Sequence, residues 1–296
     1  MTFEGVIMNV FYKYNGIMNK EIFIEKATGE KQIFDRQKLY NSLNRAGASE
    51  VVIEKVISEI LDNLYNGIST REIYKDAFRL LKKYKSSNAA RYSLKKAIME
   101  LGPTGYPFEV FVSHILAKLG FSVEVGKIVQ GKCITHEVDV IASANNTQYL
   151  VECKYYNSLG KYANVQVPLY IRSRVDDIVA YRKNLPEFKD TNFFGWVVTN
   201  TRFTDDALKY GLCAGLNLLG WDIPKNKGLK DLIEKSDLFP ITVLTNLNKK
   251  DKSFLLNKEV ILCKQLIDSP ETLDELNVST AKKKQILGEL KDLMNY

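Results

Sequence analysis

The chain has 296 residues, 45% of them hydrophobic, enough to bury more than one core, and length alone predicts two or three domains. Lys and Arg outnumber Asp and Glu by 42 to 35, a net charge of +7 that suits a polyanionic partner and is equally met by solvated basic faces. The four cysteines, Cys133, Cys153, Cys213 and Cys263, form no CxxC pair; with only two histidines beside them they leave little room for a zinc site, so any metal is expected on oxygen ligands.

No apolar run reaches the length of a membrane span, and the N-terminus lacks the basic start and cleavage site of a signal peptide, so the chain is expected in the cytoplasm with no membrane partner. Residues 1–19 are expected to be an extension, with Met18 an alternative start. From Ile22 an alternating pattern, the turn Thr28 to Lys31, and Ile33 with Phe34 predict a β-hairpin. Helical spacing follows from Leu39 to Leu81; Ser69 to Glu72 caps one helix, and Ser86 to Asn88 opens another running through Tyr92 to Met99. The breakers Gly102 to Pro107 mark a domain boundary. Beyond it the pattern predicts a helix from Phe108 to Leu119, strands at 121–126, 134–143 and 148–154, a helix at 167–183, a strand at 194–199, a helix at 204–210 and a short strand near Leu218. After Pro240 the apolar positions are helical throughout. The expected fold is an α/β multidomain chain: an N-terminal β-hairpin plus helical bundle over 20–102, a central mixed β-sheet flanked by helices over 104–235, and a short all-α region over 238–296.

The chemistry concentrates in two neighbouring segments, His136 to Ile141 and Tyr149 to Lys154, read as antiparallel strands around a turn at Asn145 to Thr147. Strand alternation puts Glu152 and Lys154 on one face, where the hairpin brings Asp139 beside them; Glu137 points with Asp139, and Val138, Val140, Val151 and Cys153 point to the other face. Carboxylates held together require a counter-charge, and Mg²⁺ (or Mn²⁺) on Asp139, Glu152 and the Cys153 backbone carbonyl supplies it. Such an ion would polarise a scissile phosphate, and Lys154 would orient the nucleophile. The competing reading is a surface ion pair, because Glu-x-Lys recurs by chance in a chain of this length. His136 reads as structural rather than as a ligand. Tyr155, Tyr156, Lys161, Tyr170, Arg172 and Arg174 form a basic, aromatic stretch; Lys161, Arg172 and Arg174 are candidate DNA contacts, or the two arginines pair with Asp176 and Asp177 on a helix surface.

Residues 104–235 resemble the PD-(D/E)xK nuclease superfamily, in particular the Mrr-like restriction endonucleases. The carriers are Glu-x-Asp before the turn, Glu-Cys-Lys after it, Glu109 on the leading helix, and Val198-Thr199-Asn200 with Phe203 to Ala207. Val138 stands where the name-giving proline would be. The resemblance implies metal-dependent DNA hydrolysis with Asp139, Glu152 and Lys154 catalytic, Glu109 auxiliary, and Gln166 either a polar addition to the site or a helix-surface residue.

Residues 20–102 resemble an ATP-cone through Ile24-Glu25-Lys26, Gly29, Phe34-Asp35, Lys38, Ile68-Ser69-Thr70 and Ala89 to Ala97, with alanine in place of the second basic residue after Lys26. That resemblance implies ATP or dATP as an allosteric ligand: Ile24 and Phe34 against the base, Lys26, Lys38, Arg91, Lys95 and Lys96 on phosphates, and Thr70 in the motif. No Walker-type loop is present, so nucleotide is expected to regulate rather than fuel. The tail is similar to helix-hairpin-helix repeats in its helices, though its turns at Asn257 to Glu259 and Asn277 to Ser279 lack their glycines. The expected function is a DNA endonuclease gated by nucleotide, in restriction or defence, acting as a dimer or larger homo-oligomer. A non-catalytic nucleotide-sensing DNA-binding regulator and a repair or junction-resolving nuclease are the alternatives.

Overall fold

The sequence pattern is realised in a computed structural model that describes residues 21–26, 28–158 and 160–294; the expected extension at 1–19 lies outside them. The chain divides into two compact units, one running to Ser93 and taking in the last residues from Gly288, the other spanning Leu94–Leu287.

In the first unit, β1 (Phe23–Glu25) and β2 (Lys31–Ile33) pair antiparallel in the expected hairpin, with Gly29 at φ +81° in its turn. Four helices follow: α1 (Arg36–Arg45), α2 (Glu50–Asp62), α3 (Thr70–Tyr84) and α4 (Ser86–Tyr92). Asp35 caps α1 through the Lys38 amide (3.1 Å), and Ser69 and Glu72 form the reciprocal cap of α3. The apolar positions read from the sequence, among them Leu43, Ile53, Val56, Ile57, Leu80 and Leu81, are its buried core.

The helix expected to run unbroken from Ser86 to Met99 does not. Ser93 turns its hydroxyl onto the Ala90 carbonyl (3.0 Å) and shares its amide between the carbonyls of Ala89 and Ala90, which ends α4. The next helix, α5 (Leu94–Met99), belongs to the second unit. The units therefore part at Ser93, nine residues before the breakers Gly102 to Pro107, and the tail as far as Leu287 clusters with the sheet.

The second unit is built on α6 (Tyr106–Lys118) and a five-stranded sheet of β3 (Ser122–Gln130), β4 (Thr135–Ala144), β5 (Thr147–Lys154), β7 (Asn192–Thr199) and β9 (Asn217–Leu219), in the order β3-β4-β5-β7-β9. The first three strands are antiparallel, and β5, β7 and β9 are parallel, as crossover helices require. These crossovers are α7 (Gln166–Arg182) and α8 (Asp205–Cys213), whose Ile171, Val175, Ile178 and Ala207 pack on the sheet. A small parallel pair, β6 (Tyr162–Ala163) with β8 (Arg202–Phe203), and a helix α9 (Leu229–Ser236) are not legible in the pattern. The tail holds α10 (Lys249–Asn257), α11 (Cys263–Asp268) and α12 (Thr280–Met294), with a 3₁₀ segment, Pro270–Glu275, between the last two. After α10, Glu259 takes φ +59° where such a turn usually has glycine.

The tip of the β3–β4 hairpin is tied to α7 at Asp177. Its carbonyl accepts from the Lys132 amide (3.0 Å), and its carboxylate accepts from the Cys133 amide (2.9 Å) and meets His136 Nε2 (2.8 Å). The His136 bond, with those from Cys133, holds the Asp177 carboxyl at about 2, below its ordinary 3.8. The stability this anchor contributes is thus fully present above the unfolded value and is lost as pH falls from about 4 through 2. In urea titrations the gap between wild type and Asp177→Asn should hold steady at about pH 5 to 7 and close across that acid window; a gap independent of pH would refute the anchor.

Candidate active site

β4 loses both of its neighbours at one residue. Its pairing with β3 runs Val125↔Val140 and Lys127↔Val138, passing over Gly126 (φ +60°) opposite Asp139, and its pairing with β5 begins only at Val140↔Val151. Strict alternation fails there too: Val138 and Ile141, three residues apart, lie in the same core cluster, so Val138 and Val140 do not share a face as the pattern predicts.

The Asp139 carboxylate fills the gap, its Oδ2 accepting the Cys153 amide at 2.7 Å. Because a strand residue's N–H and C=O point the same way, the Cys153 carbonyl also faces the Asp139 edge. Beside it Glu152 is 5% exposed; Lys154 Nζ lies 2.7 Å from its Oε1, and Arg174 on α7 binds its Oε2. Arg174 also donates to the Glu137 carbonyl (3.1 Å) and lies 4.5 Å from the centre of the Tyr170 ring, with Lys154 Nζ 5.7 Å from the same ring. The sequence makes Arg174 a DNA contact or a partner of nearby aspartates; the structure turns it onto Glu152. A signal for this exists in the spacing: Gln166, Tyr170 and Arg174 recur every four residues on one helix stripe.

The cluster is short of positive charge. Burial, then repulsion from Glu152, raises the Asp139 carboxyl to about 6, against the opposing bond from the Cys153 amide. Glu109, half-buried on α6, is pushed up to about 7 by burial and then by Asp139, Glu137 and Glu152. The same surroundings raise the buried Cys153 thiol, which leaves it a poor nucleophile. Asp139, Glu152, Lys154 and Glu109 are therefore together as the sequence predicts; Gln166 is exposed in the first turn of α7.

A cleft of about 460 Å³ opens from Cys153 and Lys154, lined by Pro103, Gly105, Tyr155, Tyr156, Asn157, Ser158 and Lys161. Its wall is fixed by the Thr199-Asn200 pair: Thr199 Oγ1 donates to the Lys154 carbonyl (2.8 Å), and Asn200 bonds both the amide (2.9 Å) and the carbonyl (2.7 Å) of Tyr156. Arg172 pairs instead with Asp176 and the Ala214 carbonyl (3.3 Å), while Asp177 takes His136, so only half of the expected aspartate pairing forms.

In the first unit, Ile24, Phe34, Lys38 and Thr70 line a cavity of about 200 Å³ together with Asp35, Ser42, Tyr74 and Tyr92. The remaining candidates for phosphate do not gather there. Lys26 pairs with Glu30 (3.0 Å), and Arg91 donates to the Leu293 carbonyl (2.5 Å). Lys95 and Lys96 fall past the break at Ser93, in the second unit, where Lys96 pairs with Glu100 (3.6 Å). Of the expected Arg91, Lys95 and Lys96 group, only Arg91 belongs to the first unit.

Residues 103–220 match the restriction endonuclease family. The match spans α6 through β9 and so contains the whole cluster. Residues 239–294 match the family described as AF1548-like, C-terminal. An uncharacterized protein of Archaeoglobus fulgidus is 29% identical over 184 residues, covering 62% of this chain and 99% of that one. The crystal structure of AF1548, a protein of unknown function, superposes with a TM-score of 0.53 at 28% identity, over 65% of this chain and 99% of its own. The MspJI restriction endonuclease, solved with a 27-mer oligonucleotide, gives a TM-score of 0.33 at 13% identity over 71% of this chain and 44% of its own, a likeness too slight to carry an argument. No helix of the described residues is long and apolar enough to cross a membrane.

Proposed function

We propose that the restriction-endonuclease-like domain is a divalent-metal-dependent DNA endonuclease. The observation that carries this reading is the convergence of Asp139, Glu152 and Lys154 where β4 parts from β5, inside the family match. The donors suit Mg²⁺ or Mn²⁺: two carboxylates and the Cys153 carbonyl are all hard oxygens. Among the described residues no three His, Cys, Asp or Glu side chains form a complete cage. An ion held by so few protein groups would complete its coordination with waters and a substrate phosphate. Bound there, such an ion would acidify a water and neutralise charge on the scissile phosphate. Lys154 would orient the attacking water and stabilise the negative charge developing on the phosphate oxygens, and Arg174 holds Glu152 in place. Burial first, and then the neighbouring carboxylates, raise Glu109 and Asp139, and added positive charge would lower both. The cleft with Lys161, Tyr155 and Tyr156 receives the strand beside the cut.

The first unit is proposed to bind ATP or dATP as a regulator, with the base between Ile24 and Phe34. A cavity of about 200 Å³ lies below the roughly 300–1,000 Å³ of small-molecule sites and suits the base more than the whole nucleotide. Two copies acting as a homo-oligomer would cut both strands of foreign DNA in a defence role. The test is cleavage of supercoiled, linear and branched duplex with Mg²⁺ or with chelator, with and without ATP and dATP. Metal-dependent cutting whose rate responds to nucleotide is expected. Duplex that binds but is never cut hands the site to a non-catalytic DNA-binding regulator, and preferential cutting of branched substrate to a junction nuclease.

A further inference from the structure

Lys95, expected at nucleotide phosphates, lies with its Nζ 5.8 Å from the centre of the Trp221 ring. The loop carrying Trp221 is held by its amide on the Thr201 carbonyl (2.8 Å) and its carbonyl under the Lys230 amide (3.2 Å). Arg202 stands beside it, bound to Asp222 (2.7 Å). Arg202 and Lys230 both act on the Lys95 charge, and the carboxylate that offsets them, Asp222, is already held by Arg202.

The arrangement opposes its own electrostatics. Burial, then Arg202 and Lys230, disfavours the Lys95 ammonium, and only Asp222 offsets them. Lys230 occupies the first turn of α9, where the helix dipole repels a cation. Among the described residues neither Lys95 nor Lys230 has an ion-pair partner. Crowded positive charge of this kind is relieved by an anion with several charges. The cluster also adjoins the cleft: Thr201 bonds the Lys161 carbonyl, and Arg202 bonds Tyr162, so β6 and β8 join the two.

We propose that Lys95, Arg202, Lys230 and Trp221 form a second contact for the phosphodiester backbone of DNA, continuing the path of the strand that leaves the cleft. The inference rests on the nuclease reading of that cleft. It is tested by equilibrium binding of a roughly 30-base-pair duplex in Ca²⁺ as salt is varied, for wild type, Lys230→Gln and Lys95→Met/Lys230→Met, the methionine keeping a stem over the indole. Removing one cation from a phosphate lowers the slope of log affinity against log salt by about 0.9. The slope is expected to fall by about 0.9 in the single variant and about 1.8 in the double. Unchanged slopes in variants with wild-type melting overturn the proposal. Titration with ATP alone separates the sources of phosphate: unchanged ATP affinity is expected, and variants that lose ATP affinity while keeping the DNA slope assign the cluster to a free nucleotide. Wild type that binds DNA without ever cutting it, with slopes falling as stated, defeats the nuclease reading and leaves this contact standing. Wild type that binds no DNA defeats both.

Discussion

Asp139→Asn and Lys154→Met should each slow cleavage of duplex DNA by about a thousandfold while duplex binding in Ca²⁺ stays within a few-fold of wild type. The choice of substitution matters at Asp139, because its carboxylate has two jobs. It is a hard-oxygen donor, and it also satisfies the Cys153 amide in place of a strand partner. Asparagine keeps an oxygen for that amide and removes the charge. Alanine leaves a buried N–H unpaired at a cost of about 1–3 kcal/mol, so its loss of activity mixes chemistry with folding. Lys154→Met keeps the stem and removes the ammonium, while Arg174 continues to balance Glu152. If either variant cuts at the wild-type rate, the catalytic centre lies elsewhere.

Arg174→Ala should lower the stability of the metal-free protein by about 1–3 kcal/mol, because it takes one of two cationic partners from a carboxylate whose side chain is 7% exposed and leaves it Lys154 alone. The guanidinium leaves three partners at once: Glu152, the Glu137 carbonyl and the Tyr170 face. Lysine restores the charge without the fork or the stacking, so Arg174→Lys should recover part of the loss. Ca²⁺ should raise the urea midpoint of Arg174→Ala more than that of wild type, since an added cation stands in for the missing one. A loss below about 1 kcal/mol would mean that the pair behaves as a solvated surface bridge.

Much of this is legible in the residues alone. Alternation around Asp139 and Glu152 locates the hairpin and the charged face, while Glu109 is reached only through the resemblance to the nuclease superfamily. What escapes the pattern are departures from regularity. Gly126 is one glycine among many, and nothing local announces that both ladders lapse opposite it. Ser93 sits inside a good helical pattern and ends the helix through its own hydroxyl, a local bond that competes with the helix and that periodicity cannot register. Arg172 and Arg174 carry the same charge; the bond of Arg172 to Asp176 is local, four residues along one helix, whereas only tertiary packing brings Arg174 to Glu152. The strands β6 and β8 are two residues each, too short to produce any alternation.

The break in the sheet at Asp139 bears on any effort to make the protein more robust. Replacing Gly126, which is at φ +60°, with a β-branched residue and closing the rungs on either side of β4 is what an idealised sheet would call for. Success on those terms would give the Cys153 amide a backbone partner and evict the carboxylate that now occupies its place. Thermal resilience and the proposed catalytic centre are set against each other at this one position, so stabilising changes are better sought in the helices of the first unit than in the strands that hold the site.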